Sequence, residues 1–111
     1  MSVTSKPLAT ANYLPATDTT LYTAGAGTRT ILDKCTAYNS DASTQNVTFN
    51  IVANGGSVGA SNVIVSKTLA AGETYAFPEI VGHVLEAGGF LSGIAATANK
   101  IVVRVSGREV V

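Results

Sequence analysis

His83 is the only histidine and Cys35 the only cysteine in the chain, so the side chains best suited to acid–base, nucleophilic or metal chemistry occur once each. A single histidine needs several carboxylates beside it to hold a metal, and a single cysteine makes neither a thiolate zinc site nor an intrachain disulfide. The seven acidic residues, Asp18, Asp33, Asp41, Glu73, Glu79, Glu86 and Glu109, are scattered mainly over turns and strand ends. His83 therefore reads as a strand-edge or interface residue. Cys35 lies in an alternating stretch beside Ile31 and Ala37, with no local feature to lower its pKa, and reads as a buried, inert thiol. The glycine-rich run 54–59 has no Lys-Ser/Thr after it and no helix start to complete a phosphate cradle, so it is expected to connect strands. No catalytic residue, metal or cofactor is expected, and the chain is expected not to be an enzyme.

The elements that position these residues follow from a period of two. In 45–53, Val47, Phe49, Ile51 and Ala53 should point inward and Thr48 and Asn50 outward. In 100–107, Ile101, Val103 and Val105 share one face, with Arg104 and Ser106 on the other. In 28–39, Ile31, Cys35 and Ala37 should share one face, and Thr30, Lys34, Thr36 and Tyr38 the other. Further β-prone runs lie at 19–23, 62–69, 74–77 and 90–97, separated by turn chemistry such as Asn39-Ser40-Asp41-Ala42-Ser43 and Ala70-Ala71-Gly72-Glu73. The run 78–86 has room for one helical turn before a strand. Roughly eight short, evenly spaced strands predict an all-β sandwich or small barrel.

Residues 1–19 show no sustained period, and Pro7 and Pro15 oppose regular pairing there. They are expected to form an extended N-terminal arm, leaving residues 20–111 as the β-sandwich domain. Lys6, Leu8, Tyr13 and Leu14 on that arm are the candidate partner-binding residues.

The chain's 111 residues make one domain with a modest core. Seven basic and seven acidic residues cancel, and only 13% of residues are charged against 46% hydrophobic. Such a surface has no footprint for a phosphate backbone or for anionic lipid, so neither nucleic acid nor membrane is an expected partner. It also does little to keep copies apart, which suits a subunit covered in use. Met1-Ser2-Val3-Thr4-Ser5-Lys6-Pro7 lacks the charged region and apolar run of a signal peptide.

Three stretches carry a family resemblance. Arg29-Thr30-Ile31-Leu32-Asp33-Lys34-Cys35-Thr36-Ala37-Tyr38-Asn39-Ser40-Asp41 resembles the first core strand of small β-sandwich structural proteins of tailed bacteriophages. Leu69-Ala70-Ala71-Gly72-Glu73-Thr74-Tyr75, with Phe77-Pro78-Glu79-Ile80-Val81-Gly82-His83-Val84-Leu85 after it, and the closing Val103-Arg104-Val105-Ser106-Gly107-Arg108-Glu109-Val110 are similar to further parts of them. The resemblance spans 19–111. It implies a jelly-roll β-sandwich that decorates or cements an icosahedral head as a dimer or trimer. The implied partner is the phage major capsid protein, and the implied location is the virion, after synthesis in the host cytoplasm. Similar domains at necks, tails and fibre bases imply the alternative, a module that binds a receptor or glycan.

Overall fold

The computed structural model describes residues 2–111. Met1, the first residue of the expected arm, lies outside the described residues. Among the described residues nine strands run in chain order: β1 (Val3–Tyr13), β2 (Thr19–Thr23), β3 (Arg29–Asn39), β4 (Gln45–Val52), β5 (Val63–Leu69), β6 (Thr74–Ala76), β7 (Val84–Leu85), β8 (Phe90–Ala95) and β9 (Ile101–Val110). A 3-10 turn, Ala60–Asn62, precedes β5. Pro78–Gly82 forms turns instead of a helical one.

Two antiparallel sheets face each other. One has the order β1-β9-β3-β6, with β7 also on β3, and the other β2-β8-β4-β5. β6 pairs with Thr36–Tyr38 and β7 with Thr30–Ile31, so the two behave as one edge strand interrupted by the turns at 77–83. Counted that way, eight strands divide four and four in jelly-roll order, and every connection except the one between β4 and β5 crosses from one sheet to the other. The expected fold class is the observed one.

The inward faces follow the alternation of the sequence. Val47 and Phe49 on β4, and Ile101, Val103 and Val105 on β9, are buried, while Arg104 is exposed. Phe49 and Phe77 meet edge to face at 5.0 Å between ring centroids, and Tyr75 meets Phe77 at 4.8 Å. Each fully buried side chain of this size contributes roughly 1.5–3 kcal/mol of transfer free energy.

Three expectations are corrected. On β3 the register shifts between Leu32 and Lys34. This bulge changes the phase of the strand, so Thr30 and Leu32 point inward before it and Cys35 and Ala37 after it, while Ile31 is only partly buried. On β4, Ala53 lies past the strand end and is exposed. Asn50 is on the outer face but buried, because the 54–62 loop folds over it and accepts its amide hydrogens at Gly59 O (3.0 Å) and Asn62 Oδ1 (2.7 Å).

The third correction concerns residues 1–19, which are not separate from the sandwich. β1 is the edge strand of its sheet, paired with β9 from Val3↔Val110 to Tyr13↔Val102. Ser2 and Val111 exchange backbone hydrogen bonds of 2.9 Å in both directions, so the two strands end flush. Pro7 fits because an edge strand has one side with no ladder to donate to, and a register shift follows it at once.

Candidate functional site

The four residues expected to bind a partner divide into two pairs. Leu8 and Leu14 are part of the core cluster, and the Leu14 N–H donates to Ile101 O at 2.8 Å. A Cβ at Gly93 on β8 would stand 3.1 Å from Leu14 Cδ2, so Leu14 fills space that the glycine leaves. These two leucines are held inside the chain's own sandwich and present nothing to a partner. Lys6 and Tyr13 do reach solvent. Lys6 Nζ lies 3.4 Å from Glu109 Oε1, and Tyr13 is 48% exposed.

His83 is exposed in the turn before β7, where its role is in its backbone. Its carbonyl accepts from the Leu32 N–H at 2.9 Å and its N–H donates to Ile80 O at 3.3 Å. Cys35 is fully buried, and burial pushes its thiol up to about 12. Gly55-Gly56-Ser57-Val58-Gly59 spells the Gly-x-Ser-x-Gly pattern. A nucleophile elbow is a sharp strand-to-helix turn. Here Ser57 is in an exposed loop leading to the three-residue 3-10 turn, and its carbonyl accepts from Asn62 Nδ2 at 2.9 Å. Among the described residues no three His, Cys, Asp or Glu side chains gather where they could hold a metal ion. Nor, among the described residues, is any helix long and apolar enough to cross a membrane.

The outer face of the β1-β9-β3-β6 sheet carries a different constellation. Lys34, Thr36 and Tyr38 project from β3, and Val102, Arg104 and Ser106 from β9. Register places Lys34 opposite Ser106, Thr36 opposite Arg104 and Tyr38 opposite Val102. Paired residues share a face, so the six form three cross-strand pairs around a groove of about 360 Å³. Tyr13 stands opposite Val102 from the other side, which adds a second tyrosine to that row. The alternation in each strand was visible in the sequence. The pairing of β3 with β9, which joins the two half-sites, was not.

Charge on the rest of the surface is largely cancelled within the chain. Lys6 pairs with Glu109, Arg29 with Glu86 at 3.0 Å, and Lys100 with Asp41 at 3.9 Å. Arg108 grips Asp33 through two 2.9 Å bonds, from Nε to Oδ2 and from one terminal nitrogen to Oδ1, and this contact holds the guanidinium more firmly protonated. Lys67 sits over the Tyr75 ring, 4.6 Å from its centroid. Of the seven cations, Lys34 and Arg104 alone are left without an acidic or aromatic partner among the described residues.

No known protein family and no curated protein matches this chain. Among solved structures it is similar to one chain in the structure of infectious bursal disease virus Gt strain, at 10% identity and a TM-score of 0.41. That match takes in 97% of this chain and 32% of the other, so this chain spans about a third of its length.

Proposed function

We propose that this protein is a structural component of a virion, a decoration or cement protein that binds the outer surface of a tailed-phage head and stabilises the shell without catalysing a reaction. The observation that carries the reading is the free edge of β1. It offers eleven residues of extended backbone at the margin of a jelly roll, with Lys6 its only charged side chain. Such an edge accepts a strand or arm from a shell subunit through main-chain hydrogen bonds. The role first given to a loose arm thus passes to an ordered strand that can receive a neighbour's backbone. The low charge of the chain, 13% of residues, suits a surface covered by contacts. Burial of Cys35 and the backbone role of His83 support the non-catalytic half of the proposal.

The test is binding to heads assembled without this protein, followed by density of the particle. We expect many copies per shell, a higher shell disruption temperature, and continuous density across the β1 edge. A double variant, Ser5→Lys with Thr10→Lys, places charge on exposed edge positions and should weaken attachment while leaving the melting temperature of the free protein unchanged. Full attachment by that variant would remove the edge from the mechanism. A few copies confined to the neck or tail would replace head decoration with the receptor- or glycan-binding alternative.

A further inference from the structure

We infer that the groove on the outer face of β3 and β9 binds a carboxylate-bearing sugar, with Lys34 and Arg104 holding the carboxylate and Tyr38 taking the ring. The inference does not depend on attachment to a shell, because the groove faces away from the sandwich core and does not use the free edge of β1.

Charge gives the first part of the argument. In a chain with formal net charge +0, five cations are held by partners and the two left over are cross-strand neighbours in one groove. Lys34 and Arg104 are diagonal in register, roughly 7–8 Å apart at the backbone, close enough for both side chains to reach one anionic group. A guanidinium beside an ammonium suits a carboxylate, which takes a two-pronged contact from the first and a point charge from the second. Asp33, next to Lys34, does not quench the pair because Arg108 engages both of its oxygens.

The remaining lining identifies what carries the carboxylate. Ser106 offers a hydroxyl opposite Lys34 and Thr36 one opposite Arg104, and the next row, formed by Tyr38 and Val102, is where a ring with an apolar face can lie. The volume, about 360 Å³, falls at the lower end of the range for small-ligand sites. An acidic peptide fits less well. β9 is flanked by β1 and β3, and β3 by β9 and β6, so the backbone groups along the groove are already used in the sheet and none is free for a peptide main chain. A nucleic acid would need a longer basic track, and of the other five cations four are ion-paired.

The experiment is a titration of the isotope-labelled full-length protein, followed by NMR, with three probes: a short uronic-acid oligomer, a neutral oligosaccharide of equal length, and an oligoglutamate. We expect the uronate to bind at least about tenfold more tightly than the other two, with shifts centred on residues 34–38 and 102–106. Lys34→Ala with Arg104→Ala should remove binding, and Tyr38→Ala should weaken it at least about tenfold while melting temperatures are retained. All three positions are surface ones, so these variants fold. Equal binding of oligoglutamate, shifts on another face, or no binding of the uronate would each overturn the assignment.

Discussion

Tyr22 of β2 donates its phenolic hydrogen to the carboxylate of Glu109 on β9, and this contact crosses from one sheet of the sandwich to the other. The same hydroxyl lies 2.9 Å from Thr30 Oγ1 of β3, and Lys6 of β1 approaches Glu109 from outside. Four strands therefore converge on one polar contact at the end of the sandwich where the apolar core gives way to solvent. Thr30, which has no apolar partner to offer, is buried there because this network uses its hydroxyl.

The network makes stability depend on pH at both ends of the scale. The hydrogen bond from Tyr22, and then that from Lys6, hold the Glu109 carboxyl below its usual range. Its contribution is thus complete above the unfolded value of about 4.3 and is lost as pH falls through the lower folded value. Burial, and then the bond to Glu109, push the Tyr22 phenol up, so that contribution is complete below about 10 and is lost as pH rises through the folded value. Thermal melts of wild type and Tyr22→Phe should differ most near neutral pH and converge on the acid side. A constant difference down to low pH would assign the effect to packing alone.

The position of Leu14 gives the next prediction. It is fully buried and occupies the space above Gly93, so Leu14→Ala should destabilise the protein by roughly 2–5 kcal/mol, read from urea unfolding. Removal of residues 1–19 should cause collapse of the fold, because it strips β1 from β9 and uncovers the β9 edge. A stable, monomeric, folded deletion variant would return this segment to the status of an arm.

How far the sequence discloses the structure varies by element. β4 and β9 are legible because apolar residues recur at every second position, Val47, Phe49 and Ile51 on one and Ile101, Val103 and Val105 on the other, and both lie in sheet interiors where one face must be buried. β1 is not legible. An edge strand needs few apolar residues, and in β1 only Leu8 is buried, so no period rises above the Thr, Ala and Ser around it. Pro7 argues against a central strand, and the sequence alone does not distinguish an edge strand from an arm. On β3 the bulge at Asp33 puts Ile31 out of phase with Cys35, a local insertion that a period of two does not foresee. The groove needed one further fact, the pairing of β3 with β9, which lie far apart in the chain.

At Gly107 the backbone of β9 lies close against that of β3. A Cβ there would lie 2.3 Å from Ile31 O and 2.9 Å from Leu8 Cδ1, and the first is main chain that cannot rotate away. Gly107→Ala should therefore cost about 3 kcal/mol or more, since β3, β9 and β1 all have to shift. Gly59→Ala provides the contrast. Its backbone is extended and a Cβ there meets nothing within 4 Å, so its denaturant midpoint should stay near that of wild type.

Cys35 supplies the last prediction, because its thiol must stay neutral while the chain is folded. Burial pushes it up to about 12, whereas an exposed thiol titrates near about 8.5. A raised value favours the folded state fully below the unfolded pKa, and that advantage is lost progressively as pH rises toward the folded one. Between pH 7 and pH 10 the wild type should therefore lose about 1–2 kcal/mol more stability than Cys35→Ala, measured from urea unfolding at each pH. The same burial predicts that an aromatic disulfide reagent labels Cys35 only as fast as the protein unfolds, so that added urea accelerates labelling in step with unfolding. Cys35→Ser should cost roughly 1–3 kcal/mol through a buried hydroxyl set among Leu32, Ala37 and Val105. Rapid labelling in native buffer would show that the thiol is reachable, and the inert role assigned to it would fail.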